Sequence, residues 1–238
     1  MENKFDIFFR DKNYLMIKNS SFNYLNRKYY IKKVLKKYSN GEKMLDIGSG
    51  ISPVSPDMKN TKFVDISLDA VKFLKEKGFN SELGDMTKLK EKTGSYDMVL
   101  CSEVLEHVPD WEDGLKEVIR ILKKEGVAII TVPVHKKYWN IDDEFVKHIR
   151  RFDPDEFKES LEKVGFKIIE EKPIGSRLER WLTILIVKAF KKNSNQKIGW
   201  LKAKIIILLN LILYLIVRLS ITSDKRNTSI MLYVCKKA

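Results

Sequence analysis

Met44-Leu45-Asp46-Ile47-Gly48-Ser49-Gly50 reads as a short apolar strand that runs straight into a glycine turn. Glycines at that point let the backbone approach a ligand and take a turn that a Cβ would block. A strand followed by Gly-x-Gly is a weak signal alone and would also suit a dinucleotide. Position 53, where a third dinucleotide glycine would fall, is Pro53. Two further acids sharpen the reading. Asp65 closes a second apolar strand, Lys62–Ile66, where a carboxylate can accept both hydroxyls of a ribose. Asp85 follows a weak third strand near Ser81–Leu83, where an acid can accept from an adenine amino group while Met86 packs on the ring.

Outward from this stretch the pattern alternates strand and helix. Upstream, Leu25, Ile31, Val34, Leu35 and Tyr38 share one face of a helix over 22–38 that Asn40-Gly41 stops. Downstream, Ser67 caps a helix that runs to Lys77 and ends at Gly78. Tyr96–Ser102 is an apolar central strand, Glu112–Lys124 an amphipathic helix closed by Gly126, and Val127–Val134 a fifth strand. Asp153-Pro154 opens a helix over Asp155–Val164, Phe166–Glu170 is a sixth strand and Ser229–Val234 a seventh. This order predicts an α/β fold: a Rossmann-like, seven-stranded, mostly parallel sheet with helices on both faces. Ligands of such sheets sit beyond the carboxyl ends of the strands, where the strand order reverses.

Between strands six and seven the chain does not read as a loop. Ser176–Phe190 and Ile205–Val217 are apolar helices, the second apolar all round apart from Asn210 and Tyr214. Thirteen residues at about 1.5 Å each give only about 20 Å, short of a ~30 Å hydrocarbon core. A single crossing would also put the seventh strand on the wrong side. The expected form is a helical hairpin lying on or dipping into one leaflet, with a lid or a homodimer interface as the alternative. The domain plan is a basic helical segment at 1–40, a core at 41–175, the apolar insertion at 176–224 and the last strand at 225–238.

The net charge of +13 is unevenly spread. Residues 1–40 carry +7 and 177–238 carry +11, against −5 over 41–176. Basic ends suit an anionic partner, here an anionic membrane surface met by 177–218. Cys101 and Cys235 match no zinc or redox spacing and read as reduced thiols. With no basic-then-apolar leader pattern at the start, the expected location is cytoplasmic, peripheral on the inner face of the cell membrane.

Leu45-Asp-Ile-Gly-Ser-Gly50, Val64-Asp-Ile-Ser67, Gly84-Asp-Met86 and Tyr96-Asp-Met-Val-Leu-Cys-Ser-Glu-Val-Leu-Glu-His-Val108 resemble the ordered motifs of class I S-adenosylmethionine-dependent methyltransferases. The branch that includes the ubiquinone and menaquinone biosynthesis methyltransferases is the nearest likeness, over about 41–175 and the last strand. The resemblance implies S-adenosylmethionine as cofactor. Asp46, Gly48 and Gly50 would line its methionine and ribose part, Asp65 would hold the ribose with Ile66 beside it, and Asp85 and Met86 the adenine. Ser102 would stand near the transferring methyl. One departure is visible: only Ile51–Asn60, with Pro53 and Pro56, separates the glycine turn from the second strand, so the usual first helix is shortened or lost.

Glu103, Glu106 and His107 share a helical face at i, i+3 and i+4, and His148 can close the set from another loop. The spacing resembles the metal site of small-RNA terminal 2′-O-methyltransferases and of the ubiquinone O-methyltransferases. It suits Mg²⁺ or another divalent cation, which lowers the pKa of a bound hydroxyl. Without a metal, His107 or His148 is a candidate catalytic base. His135, Tyr138 and Trp139 follow the fifth strand, where loops cover the acceptor site, and Arg150 could pair an anionic group on the substrate.

The expected function is methyl transfer, as O-methylation, to a small or amphiphilic acceptor that is lipid-linked, prenylated or a glycolipid. Two readings compete. A metal-dependent RNA methyltransferase is favoured by the charge, but no nucleic-acid-binding module is visible and the core is acidic. The other is a non-catalytic, membrane-associated binding or scaffold protein that retains the cofactor pocket, which the complete set of cofactor acids disfavours.

Overall fold

A computed structural model describes residues 5, 6, 9, 18–38, 43–55, 59–192 and 199–237. The expected helix stop at Asn40-Gly41, Pro56 and much of the 1–40 segment lie outside them.

The seven strands are β1 (Met44–Ile47), β2 (Thr61–Asp65), β3 (Ser81–Leu83), β4 (Tyr96–Ser102), β5 (Leu122–Pro133), β6 (Phe166–Pro173) and β7 (Ile230–Lys237). They form one sheet in the order β3-β2-β1-β4-β5-β7-β6. All pairs are parallel except those of β7, which runs antiparallel between β5 and β6. The order reverses between β1 and β4, so the carboxyl ends of those two strands frame the crevice where a ligand sits.

Strand alternation sorts side chains between two cores. In β4, Val99 and Cys101 join the cluster under α3 (Trp111–Ile121) and α5 (Pro154–Val164). Met98 and Leu100 join the opposite cluster with Ile31, Val34 and Leu35 of α1 (Phe22–Tyr38). Helices therefore cover both faces. α2 (Leu68–Glu76) begins where Ser67 Oγ accepts from Ala70 N–H, and α5 where Asp153 accepts from the N–H groups of Asp155 and Glu156 with Pro154 in its first turn. Gly165, at φ +107°, ends α5. Both cysteines are buried and unbridged.

Two boundaries differ from expectation. The helix expected over Glu112–Lys124 stops at Ile121, because Leu122 already pairs with Tyr96. The next pair on that ladder is Met98 with Val127, so Lys123–Gly126 bulge outward, with Glu125 at φ +62°. Among the described residues between β1 and β2 there is no helix, in line with the prolines there.

The insertion is a pair of helices, α6 (Arg177–Lys192) and α7 (Trp200–Ser220), which follow the short α4 (Ile141–Phe145) and α5 in the chain. α7 has 21 residues and contains an 18-residue stretch with a mean hydropathy of 2.1. It rises about 31 Å at 1.5 Å per residue, so it is long and apolar enough to cross a bilayer. The length argument from Ile205–Val217 is thereby corrected: Trp200–Lys204 and Arg218–Ser220 continue the helix. Ala203, Asn210 and Val217, seven residues apart, are buried against the body. Asn210 Oδ1 accepts from Phe22 N–H at 3.1 Å, Arg218 lies over the Tyr29 ring at 3.7 Å, and Ser220 Oγ meets Ser176 Oγ at 2.7 Å. The rest of α7 is bare: Leu201, Leu208, Leu215 and Leu219 are all more than half exposed.

Phe157 on α5 is 1% exposed and packs against Trp111, Phe152 and Tyr233 at ring separations of 5.6, 4.8 and 5.3 Å. Phe157→Ala is expected to cost about 3–5 kcal/mol and to lower Tm by roughly 6–20 °C in a calorimetric scan. A loss of under one degree would show that this aromatic cluster does not anchor α5.

Candidate functional site

The first helical turns and strand ends at the sheet's switch point surround a cavity of about 930 Å³. Asp46, Gly48, Gly50, Asp65, Ile66, Asp85, Ser102, Glu103, His107 and His148 all line it. These residues come from the ends of four different strands and two loops, and they meet because the order reversal opens the sheet there.

Gly48 and Gly50 have φ of +68° and +56°. A Cβ on Gly48 would stand 2.6 Å from Val104 Cγ2, so glycine is needed there for packing as well as for the turn. Asp65 is fixed by two backbone donors: Gly50 N–H to Oδ2 at 2.8 Å and Ser67 N–H to Oδ1 at 2.9 Å. Each oxygen keeps a second lone pair for a diol. Burial still pushes the Asp65 carboxyl up, with those two N–H groups and Lys18 opposing it. Asp46 is 2% exposed, and its Oδ2 has no hydrogen-bond partner among the described residues. Burial, and then the charge of Asp65, raise its pKa well above the ordinary range. Asp85 is exposed at the rim, with Oδ1 held by Thr87 N–H and Oγ1. Ser102 Oγ pairs with Thr131 Oγ1 at 2.9 Å. Phe5 lies edge-on to His107 at 5.1 Å, and Phe5, Phe9 and Lys18 line the cavity over the glycine turn.

Met86 does not line the cavity. It is buried in the core, where a Cβ on Gly114 would sit 2.7 Å from its Cε. Ile66, Val104 and Val108 supply the apolar surface on that side instead.

Glu106, His107 and His148 each offer a ligand atom, all within 4.8 Å of one another. Glu106 is fully buried, and neither of its carboxylate oxygens has a hydrogen-bond partner among the described residues. His148 Nε2 stands 3.5 Å and His107 Nε2 3.9 Å from Glu106 Oε1. Their other nitrogens are held from behind: His148 Nδ1 by Asp143 Oδ1 at 2.8 Å, His107 Nδ1 by the Lys147 carbonyl at 3.2 Å. Asp143 also pairs Arg151 at 2.8 Å and Arg180 at 3.3 Å, and it closes the cap of α4. Despite its burial, the hydrogen bonds from His148 and Arg151 hold Asp143 down at about 2. Burial and the neighbouring Glu103 push Glu106 far up. Two imidazole nitrogens and an orphaned carboxylate facing one point, with fixed back sides, fit a divalent cation. Glu103 does not join them. At φ +57° its carboxylate turns to Arg27, 3.4 Å away, and to Thr131 Oγ1.

The acceptor-side expectation also needs correction, because His135, Tyr138, Trp139 and Arg150 do not line the cavity. His135 Nε2 is bound to the Lys225 carbonyl at 2.7 Å, the Tyr138 carbonyl accepts from Arg180, and Arg150 donates to the Pro109 carbonyl. Their places are taken by Arg27, Phe145, Arg151, Glu179 and Arg180, and by Thr183, Ile186, Val187, Ile206 and Asn210 of the hairpin. One sequence signal could have found part of this wall. Ser176-x-x-Glu179 is a capping-box pattern at the start of an apolar helix.

Comparison with known proteins places this geometry. A model of a methyltransferase domain matches residues 24–171. The chain is 28% identical over 155 residues to 2-methyl-6-phytyl-1,4-hydroquinone methyltransferase 1 of Oryza sativa subsp. japonica, covering 60% of this chain and 46% of that protein. It is 31% identical over 102 residues to a ubiquinone biosynthesis O-methyltransferase of Xanthomonas oryzae pv. oryzae, covering 38% and 43%. The chain thus spans about half the length of these relatives. A solved S-adenosylmethionine-dependent methyltransferase from Archaeoglobus fulgidus aligns over 95% of this chain and 100% of its own, with 18% identity and a TM-score of 0.62, a likeness of fold.

Two outcomes test the site. Asp65→Ala should weaken S-adenosylmethionine binding at least about a hundredfold in a calorimetric titration, because two charge-assisted hydrogen bonds to one ligand are lost. An unchanged affinity would refute this pocket. Asp46, raised above the ~3.9 of an unfolded chain, adds stability only at low pH, and that stability is lost as pH rises towards its folded value. Ligand-free Asp46→Asn should therefore melt above wild type at pH 7 while binding the cofactor more weakly, with the gap in Tm closing near pH 3. A lower Tm at pH 7 would contradict the burial argument.

Proposed function

Because this chain belongs to the methyltransferase domain family, matched over residues 24–171, we propose that it transfers a methyl group from S-adenosylmethionine to an oxygen of a small amphiphilic acceptor at a membrane surface. One observation carries the reading. A single cavity is lined at one end by Asp46, Asp65 and Asp85 and at the other by α6 and α7, the helices with the bare apolar outer face.

The cofactor supplies an activated methyl on sulfur. The chain's residues supply the rest. Asp65 and the turn at Gly48–Gly50 hold the ribose end, Asp85 the base, and Asp46 accepts a donor on the buried side. Transfer is in line, so alignment of acceptor, methyl and sulfur yields much of the rate. Phe5, Phe9 and Val104 keep water from the reacting atoms. An alcohol or phenol must lose its proton; with no cation bound, His148 Nε2, oriented by Asp143 behind it, would take it, and with a cation bound that same nitrogen is a ligand instead. The set Glu106, His107 and His148 would hold a divalent cation that acidifies and positions that hydroxyl. The acceptor is lipid-linked, prenylated or a glycolipid. In this reading the basic residues flanking the hairpin, Lys188, Lys202, Lys204 and Arg218, keep it on an anionic leaflet facing the cytoplasm. A second copy of the chain is the competing cover for the same face.

The decisive experiment incubates the protein with methyl-labelled S-adenosylmethionine and a membrane extract of its host, with magnesium or with chelator, beside flotation on anionic and neutral liposomes. Labelled lipid and flotation on anionic liposomes are expected, with chelator lowering turnover at least about tenfold. Full activity in chelator would assign proton removal to His148 alone. Labelling confined to RNA would overturn the acceptor class.

A further inference from the structure

The cavity extends past the reacting residues into a region that neither the cofactor loops nor the Glu106–His107–His148 cluster occupies. Its wall begins at the start of α6. Ser176 and Glu179 cap that helix reciprocally: Glu179 N–H donates to Ser176 Oγ at 3.0 Å, and Ser176 N–H donates to Glu179 Oε2 at 3.2 Å. The cap uses one carboxylate oxygen. The other, Oε1, is buried without a hydrogen-bond partner among the described residues, on a side chain only 2% exposed that lines the cavity. A capping glutamate ordinarily faces water. This one is withdrawn from water, and a carboxylate oxygen there without a donor is costly. Burial accordingly lifts its pKa to about 7.

The wall then changes character along α6. Thr183 places its hydroxyl on its own helix, donating to the Glu179 carbonyl at 2.8 Å. Ile186 and Val187 continue the cavity lining one turn on, and Ile206 of α7 lines it too. Val187 and Ile206 are half-buried there, whereas Ile186, like Trp181, Leu185, Leu208 and Leu215, is exposed and apolar. A polar point thus leads to an apolar slot that ends under a bare apolar surface.

We propose that this half of the cavity is the acceptor subsite, in which Glu179 Oε1 accepts a hydrogen bond from a hydroxyl on the acceptor's head while its hydrocarbon tail leaves between α6 and α7 along Ile186, Val187 and Ile206. The inference rests on the methyl-transfer reading and adds to it the chemistry of the acceptor: a hydroxyl-bearing head, phenolic or glycosidic, on an apolar chain. The tail reaches the slot laterally from the leaflet, so the acceptor need not leave the lipid phase.

Glu179→Gln tests the subsite. It keeps an oxygen for Ser176 N–H and puts an N–H₂ donor where the free oxygen was. With total lipid extract of the host in detergent micelles as the probe and labelled cofactor as the reporter, the apparent KM for extract should rise about tenfold or more. Cofactor Kd should stay as in wild type, and Tm should hold or rise because a buried ionisable group is removed. Ile206→Trp, which fills the slot, should raise the same KM without changing liposome flotation. Acid hydrolysis of the labelled product separates a methylated phenol from a methylated sugar. An unchanged KM in Glu179→Gln refutes the subsite. If that variant melts lower than wild type, an unchanged KM in Ile206→Trp refutes it instead. Failure of wild type to label any extract overturns the underlying methyl-transfer reading and is distinct from both outcomes.

Discussion

Carboxylates withdrawn from water around one cavity are the constraint on which the rest of this structure depends. A buried acid must find donors, find cations or take up a proton. Asp65 finds two backbone N–H groups, and Asp143 finds His148, Arg151 and Arg180. Among the described residues Asp46, Glu106 and Glu179 find too few, each keeping at least one buried oxygen without a donor. The fold tolerates this because a well-packed sheet with cores on both faces holds the acids in place. Stability is given up locally where ligands bind, as sites arranged for charged or polar partners commonly require.

The hairpin is tied to the core by polar contacts more than by apolar ones. Arg180 enters the body to meet Asp142 and Asp143, Asn210 takes the first free N–H of α1, and Ser176 joins Ser220 across the hairpin's base. These bonds have direction, so they fix the rotation of both helices. One side of α6 and α7 turns to the cavity, and most of their apolar surface is left outward. A purely hydrophobic docking would have buried that surface and left no slot.

The sheet was legible because its signals are local. Asp46, Asp65 and Asp85 each end a strand, and a strand's end is marked by the residues next to it. The helix ends at Ser67, Asp153 and Gly165 were legible for the same reason. Side-chain direction was not. Met86 follows Asp85 by one residue and therefore points the other way, into the core against Gly114. Glu103 turns from its neighbours because the backbone takes φ +57° there, a conformation nothing in its sequence announces. His135 and Tyr138 lie after β5 as expected, but their loop is held by partners far along the chain, the Tyr138 carbonyl by Arg180 and His135 by the Lys225 carbonyl. The cavity wall at α6 depends on such distant partners, and a capping pattern at Ser176–Glu179 was its one local trace.

The place of β7 carries a consequence for how the chain assembles. β6 touches the sheet only through β7, and β7 lies beyond α6 and α7 in the chain. On a ribosome, the two apolar helices therefore emerge before the strand that completes the sheet. Until Ile230–Lys237 arrives, the edge of β5 is open and the hairpin has only part of its seat. A nascent chain in that state presents its most apolar surface at the moment its own core cannot compete for it.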